Sequence, residues 1–389
     1  MEVGLVGKPN VGKSTIFKAL TLAEAEIAAF PFTTIKANIG VGYVRSTCPC
    51  GQYKISCNPK NGICRGGVRY TPIKIIDVAG IVPGAHEGKG LGNQFLDDLR
   101  QADVLIHVVD ISGTTDEKGE ATEGHDPELD IAFLEDEVNL WFASIVKKNW
   151  AKVKNKIKYE NKKIIKELMD VLSGLGIKDY HVREALKKAA LEGEAQWTDE
   201  DCERFGVALR QVSKPIIIAA NKVDGGAENF KRLSKKYAMT PVCAEAELAL
   251  READLHGLIE YLPGDKTFNV KGEMDGKKRA GLDFIKNKIL EKYGSTGVQQ
   301  VLNNAVYEKL DLITVYPVEN EGKFMDGKGN ILPDSHLLPR GATALDLAYK
   351  IHSDIGDKFI GAVDCRTKMK VGKEHVLKDG DIIKIIAGR

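Results

Sequence analysis

Near the N-terminus, Gly7-Lys8-Pro9-Asn10-Val11-Gly12-Lys13-Ser14 has the residue types and spacing to hold a chain of phosphates. The glycines let successive backbone N–H groups turn inward on an anion, and a following helix adds the positive end of its dipole. Lys13 is placed to reach the β- and γ-phosphates, Ser14 to ligate Mg²⁺ through its hydroxyl, and Thr15 to meet the α-phosphate. The alternative is a chance glycine-rich turn. It is disfavoured by the apolar run Val3-Gly4-Leu5-Val6 before the loop and the helical pattern after it. Kinases, ATPases and GTPases all use such a loop, so base and reaction must be read elsewhere.

Asp77-Val78-Ala79-Gly80 ends a second apolar run, where Asp77 can hold Mg²⁺ through water and the Gly80 N–H can meet the γ-phosphate. Thr34, with Thr33 as the competing choice, lies on the loop between and can complete the Mg²⁺ shell. Asn221-Lys222-Val223-Asp224 follows another apolar run. A carboxylate at Asp224 accepts from the guanine N1–H and N2–H₂, both absent in adenine. Cys243-Ala244-Glu245 comes later in the series and would offer the Ala244 N–H to the guanine O6. For Thr34 the plain alternative is an ordinary loop threonine; for Asn221 and Asp224 it is a polar strand-to-helix turn. Ile81 follows Gly80, and an aliphatic side chain cannot orient water, so intrinsic hydrolysis should be slow unless another group, such as His86, assists.

These residues need a scaffold that delivers them to one edge. Residues 3–6, 39–44, 73–77, 104–110 and 216–220 read as strands, with a helix at 13–22. Apolar runs alternating with helices predict an α/β domain with a mostly parallel sheet. Residues 111–127 read as a loop. From 128 to 212 the period is helical, with Leu129, Phe133, Leu140 and Ile145 on one face early on. Helices are expected near 281–293 and 297–309. From Leu312 the runs LITVYP and ILP, a helix at 343–351, then FIGAV and DIIKIIAG predict a small α+β unit. The expected organisation is a nucleotide-binding domain at 1–127 and 213–311, a helical insertion at 128–212, and a third domain at 312–389.

The 389 residues carry a net charge of +1, so no global field draws the chain to nucleic acid. No long apolar run and no secretory pattern begins the chain, so no membrane partner and a cytoplasmic location are expected. Local features add two candidates. Cys48, Cys50, Cys57 and Cys64 can hold structural Zn²⁺, pair as disulfides, or remain free thiols. Lys147, Lys148, Lys152, Lys154, Lys156, Lys158, Lys162, Lys163 and Lys166, with Trp150 and Tyr159 among them, can follow an RNA backbone and stack on an unpaired base; otherwise they form a solvated face.

In this order the motifs resemble the Obg/YchF group of GTPases. Phe30-Pro31-Phe32-Thr33-Thr34 is similar to that group's switch I, and Asp77 to Ala85 with Gly88-Lys89-Gly90-Leu91-Gly92-Asn93 to its switch II. Leu338-Pro339-Arg340-Gly341-Ala342-Thr343 and Asp379-Gly380-Asp381-Ile382-Ile383 resemble its TGS domain, a β-grasp module. The resemblance implies a P-loop GTPase with a helical insertion, GTP and GDP as ligands, and Mg²⁺ as cofactor. It also implies a ribosome or RNA partner through the helical and TGS domains; a monomer is expected. Many YchF proteins have an altered base motif and favour ATP, whereas Asn221 to Asp224 is intact here, which implies GTP. Asn10 resembles the P-loop asparagine of K⁺-stimulated relatives; otherwise it braces the loop. The cysteine segment departs from the bacterial pattern and implies an archaeal-type branch. Two other functions compete with a hydrolysing switch: a small-molecule kinase, which has no use for Asp224, and a nucleotide-holding module with negligible hydrolysis.

Overall fold

The computed structural model describes residues 1–22, 38–78, 80, 98–160, 163–191 and 196–388. Five strands, β1 (Glu2–Val6), β4 (Val68–Asp77), β5 (Val104–Asp110), β6 (Ile216–Asn221) and β7 (Met239–Pro241), run parallel in the order β4-β1-β5-β6-β7. β5 is buried along its whole length, as a strand covered on both faces must be. The sheet is mixed: β2 (Ile39–Thr47) and β3 (Ile63–Arg65) both run antiparallel to β4. For β3 the connection is the cause: only Gly66 and Gly67 separate it from β4, and a two-residue turn makes an antiparallel hairpin.

Register brings the motifs together. Leu5 pairs with Asp77 and Asp110 with Asn221, so the loops after β1, β4, β5 and β6 open on one carboxyl edge. α1 (Lys13–Thr21) follows β1 and packs Ile16, Ala19 and Leu20 into the core. α2 (Pro49–Tyr53) lies in the cysteine segment.

Among the described residues of the insertion the α-helices are α3 (Pro127–Glu160), α4 (Ile164–Leu172), α5 (Asp179–Lys188) and α6 (Asp199–Ser213). The buried stripe of α3 is Leu134, Val138, Trp141, Phe142, Val146, Trp150 and Val153, against Leu168, Val182, Phe205 and Leu209. The expected face is therefore corrected. Leu129 and Leu140 are 55% and 47% exposed, while Phe133 and Ile145 pack at the margin. The sequence carries two neighbouring apolar stripes, and the one holding the tryptophans buries more area. α3 and α6 meet backbone to backbone at Gly206, where a Cβ would lie 2.6 Å from the Ala143 Cα.

α7 (Ala227–Leu233) follows β6 and α8 (Ala244–Leu255) follows β7. β8 (Ile259–Glu260) and β9 (Asn269–Val270) form a two-stranded ladder. α9 (Gly276–Ile285) continues through a π-turn at Lys286–Leu290, and α10 (Val298–Asn303) through another at Asn304–Lys309. The C-terminal sheet has the order β11-β10-β14-β12-β13, from β10 (Leu312–Val318), β11 (His336–Pro339), β12 (Phe359–Asp364), β13 (Met369–Val371) and β14 (Ile382–Ala387). α11 (Ala344–Ile351) packs on it. The helix starts at a reciprocal cap: Thr343 Oγ1 accepts from the Asp346 N–H, and the Asp346 carboxylate accepts from the Thr343 N–H. The strand expected at Ile331-Leu332-Pro333 lies instead at β11. Leu332 sits at φ 45 and is fully buried against the cysteine segment, a tertiary contact that overrides its strand propensity. No described helix is long and apolar enough to cross a membrane.

Candidate nucleotide-binding site

The loop between β1 and α1 has Gly7 at φ 150, Asn10 at φ 60 and Gly12 at φ 95. A Cβ on Gly12 would lie 2.2 Å from the Asn221 amide nitrogen, and one on Gly7 2.5 Å from the Val108 carbonyl oxygen. Both positions therefore need glycine for space as well as for φ. The Lys13 ammonium donates to the carbonyls of Gly7 at 2.9 Å and Lys8 at 2.8 Å. Burial lowers its pKa against the pull of Asp77. Gly80 lies beside it: a Cβ there would stand 3.7 Å from the Lys13 Nζ.

Ser14 Oγ donates to Asp77 Oδ2 at 3.3 Å. Asp77 Oδ1 is buried with no hydrogen-bond partner among the described residues, and burial raises the carboxyl pKa. A hydroxyl beside an orphaned carboxylate oxygen fits a hard cation such as Mg²⁺. Thr15, half-buried, is in the first turn of α1.

On the base side, Asn221 is 3% exposed and acts as a strut. Its amide donates to the Val11 carbonyl at 2.8 Å and its oxygen accepts from the Ala244 N–H at 3.1 Å. This Ala244 N–H is the donor expected to meet the guanine O6. Asp224 is exposed and accepts from the Cys243 thiol at 3.4 Å; burial pushes that thiol up to about 12, so it is a donor. Glu245 is exposed in the first turn of α8. The Lys222 ammonium is held by Asp110 Oδ2 at 2.7 Å.

The Lys8 side chain is buried, 2.7 Å from Asp130 Oδ2 at the start of α3 and 2.7 Å from the Thr115 carbonyl. His125 Nε2 meets Asp130 Oδ1 at 2.9 Å. Asn10 donates to the Gly119 carbonyl at 2.9 Å, so its amide does brace the loop. A Cβ on Gly119, at φ 83, would lie 2.6 Å from the Pro9 carbonyl oxygen, so the 113–125 segment is laid directly on the phosphate loop. Asp130 and His125 were not anticipated. The rhythm Gly113, Gly119, Gly124 before a helix start was the available signal of a close backbone approach.

Thr33, Thr34, Ile81 and His86 lie outside the described residues, as do Lys162 and the Tyr159 side chain. Trp150 is corrected: it is 8% exposed and stacks on Trp197 with centroids 4.1 Å apart, so it cannot receive a base. Lys156 is 2.6 Å from Glu167, which is 1% exposed, and Lys147 is 2.6 Å from Glu203; both are structural pairs. Lys148, Lys152, Lys154, Lys158, Lys163 and Lys166 remain exposed. Cys48, Cys50, Cys57 and Cys64 converge away from the nucleotide edge, all sulfurs within 4.8 Å of one another and none in an S–S bond.

A phosphate loop at the carboxyl edge of this sheet, followed by a Mg²⁺-competent Ser–Asp pair and an asparagine-braced base turn, defines a P-loop nucleotide-binding protein of the GTPase class. The family described as "50S ribosome-binding GTPase" matches residues 2–141, "Obg-like GTPase YGR210-like, G4 motif-containing domain" residues 219–320, and the TGS domain residues 328–387. A GTP-binding protein of Methanocaldococcus jannaschii is 48% identical over 99% of this chain and 98% of its own. The ribosome-binding ATPase YchF of Bacillus subtilis is 29% identical over 98% of each. The crystal structure of a GTP-binding protein from Pyrococcus horikoshii OT3 superposes with a TM-score of 0.81 at 40% identity over all of both chains. The chain belongs to the Obg/YchF-type P-loop GTPases with a C-terminal TGS domain.

Proposed function

We propose that this protein binds GTP with Mg²⁺, hydrolyses it slowly to GDP and phosphate, and uses the change as a switch acting on an RNA-rich partner, the ribosome, in the cytoplasm. The observation that carries the reading is the Asn221 strut beside an exposed Asp224. It holds a carboxylate where a guanine can offer two donors and an adenine none. The relative named an ATPase marks the alternative base, and the intact Asn221-Lys222-Val223-Asp224 turn favours guanine.

In this reading the loop N–H groups from Gly7 to Thr15 grip the phosphates and Lys13 exchanges the carbonyls of Gly7 and Lys8 for phosphate oxygens. Ser14, Thr34 and, through water, Asp77 would hold Mg²⁺, which would neutralise phosphate charge there. The Gly80 N–H faces the γ-phosphate. Ile81 cannot orient water, so the intrinsic rate is low. Two aids remain: K⁺ accepted at the Asn10 side-chain oxygen, and His86. Turnover measured with GTP and ATP, in K⁺ and in Na⁺, tests this. GTP preference is expected, with a higher rate in K⁺. Equal binding of ATP and GTP by the unaltered protein would sink the base assignment, equal rates in the two salts the K⁺ role, and an unchanged rate in His86→Ala the histidine.

The RNA contact rests on Lys148, Lys152 and Lys154 along α3 and on the TGS domain. Co-sedimentation with ribosomes should weaken steeply with salt. Changing these three lysines to Glu should abolish it while GTP affinity stays intact. Normal sedimentation of that variant moves the contact to the TGS domain.

A further inference from the structure

The segment from Cys48 to Thr71 takes no part in the nucleotide chemistry, yet it gathers four thiols and lies along the C-terminal domain. We propose that Cys48, Cys50, Cys57 and Cys64 hold one tetrahedral zinc ion, and that this ion docks the TGS domain onto the GTPase domain. The proposal is independent of the nucleotide reading.

The geometry is that of a closed four-sulfur site. A Zn–S bond of about 2.3 Å places the sulfurs of a regular tetrahedron about 3.8 Å apart. Cys48 and Cys57 Sγ are 3.8 Å apart, and Cys50 and Cys64 Sγ 3.7 Å. A disulfide needs about 2.05 Å, so either pair would have to close by nearly half its separation. Backbone choices aim the thiols inward. Cys48 precedes α2 and Cys50 lies within it. Lys54 at φ 51 turns the chain back, and Gly62 at φ 96 leads it into β3, where Cys64 is clamped opposite Arg69 of β4. With sulfur at every position no ligand site stays open, so the ion is structural.

A second observation points to charge at this place. Arg69 is 0% exposed, and no carboxylate of the described residues lies within ion-pair distance of it. Its Nη2 is 3.9 Å from Cys48 Sγ and 4.0 Å from Cys57 Sγ, while Nε and Nη1 have no hydrogen-bond partner among the described residues. A buried cation needs a counter-charge. A zinc ion with four thiolates carries a formal charge of −2 and supplies it.

The same strip is bonded to the C-terminal domain. Asn58 N–H donates to the Ile331 carbonyl at 3.2 Å, Lys60 N–H to Pro333 at 2.8 Å, and Arg69 Nη2 to Leu332 at 2.7 Å. Thr71 and Ser335 share a hydroxyl bond at 2.8 Å. Cys48 and Cys50 pack in one apolar cluster with Tyr316, Leu332 and Ile382. Residues 54–62 are too polar to hold this shape by burial, so the cross-link must order them before they can present donors to 331–335.

The test uses the full chain, purified without added zinc or chelator. Elemental analysis should return one zinc per chain, and titration with a mercurial should release it as the four thiols react. Small-angle scattering and limited proteolysis, before and after release, should show the TGS domain detaching while GTP-analogue binding persists. Cys57→Ser with Cys64→Ser should behave like the metal-free chain; because release is done on the folded protein, a variant that fails to fold leaves the test intact. Absence of zinc with two disulfides by mass, four alkylatable thiols, or iron in its place overturns the site. Zinc release that leaves scattering and proteolysis unchanged overturns the docking role.

Discussion

At the joint with the helical insertion, a buried ion pair runs from Lys8 in the phosphate loop to Asp130 in the first turn of α3, with Gly119 laid on Pro9 beside it. At the joint with the TGS domain, contact is a strip of backbone and side-chain hydrogen bonds, an apolar cluster and one buried guanidinium at the far end of β4. Arg69 and Asp77 are eight residues apart on that strand, about 26 Å at 3.3 Å per residue. The first joint shares atoms with the nucleotide site; the second reaches it only along a strand. The helical insertion is therefore the domain expected to respond if the phosphate loop shifts, with the TGS domain carried along with the sheet.

The sharpest way to break this contrast is Asp130→Ala. It leaves the Lys8 ammonium buried and uncompensated, a loss of about 3–5 kcal/mol, and should also weaken nucleotide binding. Urea unfolding and nucleotide titration check it; lost stability with unchanged affinity would mean the joint is structural only. Arg69→Met at the other joint strands the Leu332 carbonyl and should cost about 1–3 kcal/mol with nucleotide affinity unchanged.

Acid should act next. His107, fully buried in β5 beneath the phosphate loop, has its pKa lowered to about 3 by burial and by Lys13 and Lys8. Its folded pKa lies below the unfolded value of about 6.5, so the native state binds fewer protons. Stability is whole above that pH and falls by about 1.4 kcal/mol per unit as pH drops from 6.5 toward 3. Urea midpoints at pH 7 and pH 5 should differ less in His107→Gln than in the parent. The smallest effect belongs to Lys152→Glu with Lys154→Glu, exposed on α3 and part of neither joint. A thermal scan should place the change within about 0.5 kcal/mol.

The phosphate loop, the Asp77 turn and the base turn were legible because each needs fixed residue types at the end of an apolar run. So were the three-part organisation of the elements and the Cys cluster. What the sequence hid was pairing over long separations. Nothing local names Asp130 as the partner of Lys8, and Lys156 read as an RNA contact because Glu167 is hidden by the turn into α4. Trp150 looked exposed among lysines, since its neighbour Trp197 comes from another helix. The stripe on α3 was misread for the same reason: two adjacent faces are apolar, and only the packing of α6 selects one.

The Asn221 strut has a consequence for amide deuterium uptake. One buried side chain holds the carbonyl of Val11 and the N–H of Ala244, so the start of α1 and the start of α8 have no independent way to open. Protons in the two turns, such as Ile16 N–H on the Gly12 carbonyl and Glu247 N–H on the Cys243 carbonyl, should exchange as one unit at a common rate. Nucleotide bound at either end should slow both, and Asn221→Ala should split them into two rates.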